Sequence, residues 1–156
     1  MKILMVCLGN ICRSPLAEGI LRDKLSKNNL ENRIIVDSAG TSNYHIGQNP
    51  DHRSTANAKS HNIFISELRG RQFTQNDFDN FDMIFAMDNS NYDNIVSLAR
   101  NEKDKQKVDL ILNMINPGKN QAVPDPYFGG EEGFENVFCL LDQACEVLIE
   151  KFKKTI

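Results

Sequence analysis

The chain has little of what a protein needs to hold a metal, cross a membrane or grip a polyanion. It has only three histidines, His45, His52 and His61, and their spacing fits no metal-ligand pattern, which leaves them as surface or packing residues. Its four cysteines, Cys7, Cys12, Cys139 and Cys145, include no C-x-x-C pair. Neither a zinc site nor a disulfide framework is indicated, and no metal and no cofactor is expected. The longest apolar run, Ile3 to Leu8, is too short for a signal-peptide core and far too short to span a bilayer. A cytoplasmic protein is expected, in surroundings that keep thiols free for chemistry. An excess of positive charge is also missing. The net charge is −3 and the basic residues are scattered, so neither nucleic acid nor a membrane surface is an expected partner. Any anion it binds must be met locally. No internal repeat or low-complexity linker breaks the chain, and 156 residues fit one domain, 1–156, since a core of this size buries close to about 70% of the unfolded surface.

What is present is an alternation of strand-like and helix-like segments. Lys2 to Leu8 reads as a buried strand, and Leu16, Ile20, Leu21 and Leu25 follow at helical spacing. "RIIVDSAGT" is a second β-branched run, broken by Gly40, and a weaker helix is expected from about Pro50 to Ser60. "FDMIFAM", with Met83 and Met87, is a third strand, followed by a helix over Asn89 to Arg100 with Asp88 as its N-cap. "NEKDKQK" reads as a solvated charged connection and "VDLILNM" as a fourth strand. A long loop rich in Pro, Gly and Asn, "INPGKNQAVPDPYFGGEEG", precedes a closing helix from about Phe134 to Lys154, with Cys139 and Cys145 on its apolar stripe. Strands alternating with helices predict an α/β fold: an open, mostly parallel sheet covered on both faces, with ligands bound beyond the carboxyl ends of the strands.

The stretch "VCLGNICRSP", residues 6 to 15, lies at one such end. Ser14-Pro15 starts a helix, because serine caps free N–H groups and proline lacks an N–H that would be idle there anyway. Successive backbone N–H groups of the loop, added to the positive helix end, make a nest for an oxyanion such as phosphate. Gly9 lets the backbone bend closely, and Asn10 tolerates a left-handed conformation. Arg13 adds a planar fork that holds two phosphate oxygens at once. Cys7 stands at the strand end, where the field that favours phosphate also favours a thiolate. A C-x5-R-[ST] pattern arises by chance only about 0.015 times in a chain of this composition. A nucleotide-binding P-loop is excluded, since the second glycine and the lysine of G-x-x-x-x-G-K-[ST] are absent.

At this point the chain resembles the low-molecular-weight protein tyrosine phosphatases. The resemblance is carried by "VCLGNICRSP", "VDSAGT" at 36–41, "NYHIGQNPD" at 43–51, "FDMIFAMD" at 81–88 and "DPYFGG" at 125–130, and so covers nearly the whole chain. It implies a flavodoxin-like three-layer sandwich with a four-stranded parallel sheet in the order 2-1-3-4. It implies a phosphocysteine intermediate on Cys7 and phosphate binding by Arg13 and by the loop Leu8, Gly9, Asn10, Ile11, Cys12 and Ser14. It also implies a general acid at Asp125 and no metal. Chemistry supports these transfers, because phosphoryl transfer needs in-line positioning and charge stabilisation, and the leaving tyrosine oxygen needs a proton. Asp125 sits in "PDP", where two prolines restrict the backbone that aims it.

Ser14 has two readings, a hydroxyl that donates to the Cys7 thiolate or a helix cap alone. Ser38 looks like the family serine that ties down Asn10, or else is a plain strand-end serine. Tyr44, Tyr127 and Phe128 resemble the aromatic walls that flank the substrate ring, although the family often has tyrosine where Phe128 stands. Cys12 either closes a protective disulfide with an oxidised Cys7 or fills space. Protein arginine phosphatases are similar to this chain but tend to carry threonine where Ile11 stands, so Ile11 favours phosphotyrosine. Arsenate reductases of similar fold relay oxidation through further cysteines, and residues 62 to 100 contain none. A non-catalytic phosphopeptide-binding module would keep Arg13 and the nest but has no need of Cys7 and Asp125. The expected partners are phosphotyrosine-containing proteins, and the chain is expected as a monomer or weak dimer.

Overall fold

Alternate residues of the first strand go to opposite sides of one sheet, and that division organises the molecule. In a computed structural model describing all 156 residues apart from the side chain of Phe128, β1 (Lys2–Cys7) sends Ile3, Met5 and Cys7 into one core. Leu4 and Val6 enter the other. Around it stand β2 (Ile35–Gly40), β3 (Met83–Ala86) and β4 (Val108–Leu110), all parallel, in the order β2-β1-β3-β4. The first core is covered by α1 (Arg13–Lys27), α2 (His52–Ser60) and α6 (Gly130–Thr155), which contribute Leu16, Ile20, Ala58, Leu141 and Leu148. The second is covered by α3 (Asn76–Asn80) and α4 (Asn89–Ser97), through Phe78 and Ile95. The short α5 (Glu102–Gln106) leads into β4. This is the three-layer sandwich with the 2-1-3-4 sheet that the resemblance implied.

The order matters for function because β1 connects to β2 on one side while β3 and β4 lie on the other. The carboxyl end of β1 is therefore where the connections diverge and leave a crevice. Cys7 is the last residue of β1.

Several local readings need correction. Ser14 does not cap α1: the N-cap is Cys12, without a side-chain cap bond, and Ser14 is the second helical residue. Its hydroxyl is taken by Cys7 and Asn10 instead. The fourth strand stops at Leu110, and Ile111–Met114 winds into a 3₁₀ turn in which Asn113 Nδ2 donates to Asp109 Oδ1 at 2.7 Å. The charged connection contains α5, because Asn101 accepts from the Asp104 N–H at 2.9 Å and Arg100 holds the buried Asp104 carboxylate. The last helix begins at Gly130 rather than Phe134. Its buried residues include Phe134, Val137, Phe138, Leu141, Ala144, Cys145 and Leu148, recurring at three and four. Cys139 falls off that stripe and is exposed, whereas Cys145 is core.

Candidate active site

Between the end of β1 and the start of α1, residues 8–12 turn tightly over the end of β2. Gly40 permits this, since a Cβ there would lie 2.7 Å from the carbonyl oxygen of Leu8 and 3.1 Å from the amide of Asn10. The turn reverses at Asn10, whose φ of 57° is the left-handed conformation that asparagine tolerates. Its buried side chain then joins the neighbourhood together. Asn10 Nδ2 donates to Ser14 Oγ at 2.8 Å and to Ser38 Oγ at 3.0 Å, and Asn10 Oδ1 accepts from the Arg71 N–H at 3.1 Å. Ser38 in turn donates to Glu18 Oε1 at 2.8 Å.

Donor accounting gives this network a direction. Ser14 Oγ accepts a hydrogen bond from Asn10 Nδ2, and its own hydroxyl hydrogen has two acceptors in reach. Cys7 Sγ lies at 3.0 Å and the carbonyl of Ala39 at 3.4 Å. The shorter contact is the one to sulfur, where the hydroxyl donates when Cys7 is a thiolate. The Asn10 N–H supplies a second donor, at 3.3 Å. Two donors converging on Cys7 Sγ suit a thiolate better than a thiol. For Cys12, five residues on, burial and then the nearby Asp51 carboxylate push the pKa up to about 12. Cys12 therefore stays a thiol at neutral pH, and both cysteines are free.

The amides of Leu8, Gly9, Ile11 and Cys12 donate to no protein acceptor among the described residues. These four residues, with Cys7, Arg13, His45, Asp125 and Tyr127, line a cavity of about 200 Å³. Unpaired N–H groups around a cavity at a helix N-terminus form a nest for an oxyanion. Arg13 is buried and anchored through Nη1 alone, which donates to Asp88 Oδ2 at 2.8 Å and to the Val123 carbonyl at 3.0 Å. Its Nε–Nη2 edge is engaged by nothing else described and is a fork for two oxygens.

Asp125 reaches the cavity from the far side. It follows Pro124 and caps a short 3₁₀ turn, Pro126–Phe128, by accepting from the Tyr127 N–H at 3.0 Å. The base of this loop is tied to the sheet, since the Val123 N–H donates to the Met87 carbonyl at 2.8 Å. Cys7, Arg13 and Asp125, read from the sequence as catalytic, thus meet around one cavity with most of the predicted loop.

Other expectations fare differently. Ser38 contacts Asn10 as the resemblance implied. Tyr127 lines the cavity, but Tyr44 is 71% exposed and is not among the lining residues. His45, read as surface or packing, stands there in its place, with Nδ1 at 2.8 Å from Gln48 Oε1. The side chain of Phe128 lies outside the described residues. Sequence reasoning missed Asp88 as the partner of Arg13, Glu18 behind Ser38, and Arg53 beside Tyr127. Asp88 alone carried a signal, as an acid two residues beyond the carboxyl end of β3. His61 does pack, stacked on Phe138 with ring centres 3.6 Å apart. Among the described residues no cluster of three or more His, Cys, Asp or Glu could hold a metal ion, and no helix is long and apolar enough to cross a membrane.

Comparison with known proteins adds a family. Residues 2–156 match the family model described as low molecular weight phosphotyrosine protein phosphatase. The chicken low molecular weight phosphotyrosine protein phosphatase is 41% identical over 151 residues, covering 96% of this chain and 94% of that one. A crystal structure of a protein tyrosine phosphatase from Entamoeba histolytica, with Hepes in its active site, superposes with a TM-score of 0.93 at 43% identity over 99% of this chain and 98% of that one. The structure of the Drosophila arginine phosphatase superposes with a TM-score of 0.90 at 35% identity, covering 98% of each.

Proposed function

Since the chain belongs to the low molecular weight phosphotyrosine protein phosphatases, we propose that it hydrolyses phosphotyrosine with Cys7 as nucleophile, Arg13 and the 8–14 loop as phosphate cradle, and Asp125 as general acid and base. The observation that carries the assignment is the convergence of Cys7, Arg13 and Asp125 on one 200 Å³ cavity floored by unpaired amides.

The steps follow from that geometry. A phosphoryl group enters with its oxygens on the Leu8, Gly9, Ile11 and Cys12 amides and on the free edge of Arg13. The Cys7 thiolate attacks phosphorus in line. The P–S bond forms as the P–O bond to the phenol breaks, and the proton on Asp125 passes to the departing oxygen. Charge spread over the equatorial oxygens is met by donors already in place, so little reorganisation is needed. In the second half Asp125, now a carboxylate, takes a proton from water as the water oxygen attacks phosphorus. The P–S bond breaks, the thiolate recovers its hydrogen bond from Ser14, and phosphate leaves.

Small aryl phosphates fit the same chemistry, and phosphotyrosine-containing proteins are the natural partners, with neither nucleic acid nor a membrane required. A thiolate nucleophile beside a second thiol suits a reducing compartment such as the cytoplasm, and a monomer or weak dimer suffices because the cavity is built from one chain. The likeness to the Drosophila arginine phosphatase favours one second reading, phosphoarginine as substrate. Ile11 on the cavity wall puts phosphotyrosine first.

The test is phosphate release from a phosphotyrosine and a phosphoarginine peptide, with chelator present. Release from phosphotyrosine that is abolished by Cys7→Ser supports the proposal. Preference for phosphoarginine overturns the reading of Ile11. Undiminished turnover by Cys7→Ser overturns the nucleophile.

A further inference from the structure

Asp125 is exposed, yet a general acid must be aimed. Its aim depends on one peptide unit on each side of the Tyr127 α-carbon. The Tyr127 N–H donates to Asp125 Oδ1 at 3.0 Å, while the Tyr127 carbonyl accepts from Arg53 Nη1 at 2.8 Å. Arg53 is held from two other directions. Its guanidinium carbon lies 4.8 Å from the centre of the Tyr127 ring and 5.1 Å from that of Phe134, in the second turn of α6. Its Nε and Nη2 donate to the two oxygens of Asp51 at 3.1 and 3.0 Å. Asp51 caps α2 through the Arg53 N–H at 2.9 Å, and its own N–H donates to the Ile11 carbonyl at 2.7 Å. A continuous path therefore runs from Ile11 in the phosphate-binding loop through Asp51, Arg53 and Tyr127 to the Asp125 carboxylate, with no step longer than 3.1 Å.

We propose that Arg53 is a positioning residue for the proton-transfer step, holding the Tyr127 carbonyl so that the Tyr127 N–H fixes one Asp125 oxygen and leaves the other for the leaving group. This rests on the assignment of Asp125 as general acid. Among the described residues that line the cavity, Arg53 touches Tyr127 alone, so it acts through geometry. The guanidinium is needed because one planar group must serve a carboxylate, a carbonyl and two ring faces together. An ammonium at the same place is a point charge without that fork. Screening at this half-exposed site makes its charge alone a minor contributor.

A misaimed acid has a signature that a damaged fold lacks. An ester that expels a stable phenolate hardly needs the proton, whereas one that expels a basic phenolate does. The experiment measures kcat/KM, which covers steps through leaving-group expulsion, for wild type, Arg53→Met, Arg53→Lys and Asp125→Asn, with 4-nitrophenyl phosphate and phenyl phosphate. Inhibition by inorganic phosphate serves as a check on the cradle. Arg53→Met is expected to lose roughly 10- to 100-fold on phenyl phosphate, the scale of a small misplacement, and far less on 4-nitrophenyl phosphate, with phosphate inhibition unchanged. Arg53→Lys is expected to fall between, and it tests the proposal if the methionine variant does not fold. Equal loss on both esters, or no loss on either, overturns the role of Arg53. Should Asp125→Asn itself lose equally on both esters, the general-acid assignment fails instead.

Discussion

Residues 7–14 and residues 123–129 face each other across one cavity, and they are held in different ways. In the first segment Asn10, Arg13 and Ser14 are all buried, and their side chains are hydrogen-bonded to one another's neighbours, to Asp88, to Ser38 and through it to Glu18. In the second, Asp125 and Tyr127 are exposed, and order comes from two prolines, a short 3₁₀ turn and the strap through Arg53. The difference matches the two tasks proposed for them. Donors that stabilise charge must be in place before the reaction, and a buried network supplies that rigidity. A group that delivers a proton to a bulky leaving group must stand at an open edge, where the ring can enter.

This contrast makes a sharp kinetic prediction, and the largest effect tests it directly. Replacing Arg13 by lysine removes the fork while keeping the charge, and should cost about 10²–10³ in kcat/KM, the scale of a lost oxyanion donor. Unlike the loss in Arg53→Met, it should be the same for phenyl phosphate and 4-nitrophenyl phosphate, because the equatorial oxygens are common to both. A loss that grows with leaving-group basicity would dissolve the distinction between the two loops.

The next effect is on stability. Asn10→Ala forces a Cβ-bearing residue without a local hydrogen bond into φ of 57° and leaves Ser14, Ser38 and the Arg71 N–H without their partner. The expected loss is about 3 kcal/mol, combining left-handed strain and orphaned polar groups. Asn10→Gly should recover about 1 kcal/mol of it by removing the strain alone. Urea midpoints of the three proteins give the comparison, and alanine and glycine variants of equal stability would show that the turn conformation carries no strain. A matching truncation in the other loop, at Tyr127, should leave the midpoint nearly unchanged.

The same contrast explains what could be read from the sequence. The cradle was legible because its parts are close along the chain: a buried strand, a thiol, an asparagine suited to φ above zero and an arginine at a helix start all fall within ten residues. The sheet was legible because β1 and β3 are largely continuous apolar runs and β2 opens on the β-branched Ile35 and Val36. Contacts that tune the site were not legible, since they join distant residues. Asp88 meets Arg13 across 75 positions and Arg53 meets the Tyr127 carbonyl across 74. No periodicity marks such pairs. Cys139 was misplaced for a simpler reason: an apolar residue near a helical stripe is easily counted onto it, and here the stripe passes one residue away at Phe138. Of the two readings of Ser14, only the cap fails, since the structure sets its hydroxyl against the Cys7 sulfur.

The smallest expected effect asks what the buried network costs. Glu18, 2% exposed beneath Ser38 and beside Arg22, has its pKa pushed up from an ordinary 4.5 to about 7, chiefly by burial and against the Ser38 hydrogen bond and the Arg22 charge. The folded protein therefore holds this proton more tightly than the unfolded chain. The contribution to stability is complete below about pH 4.5 and is lost as pH rises through about 7, since the folded state then carries a charge that burial disfavours. Between about pH 6 and 8 the loss should be on the order of 1 kcal/mol. Glu18→Gln has no such titration, so wild type should lose stability relative to the variant by about that amount across this interval, read from urea midpoints at the two pH values. A constant difference would mean that Arg22 and Ser38 already offset burial, and that the rigidity of the phosphate cradle carries no pH-dependent cost.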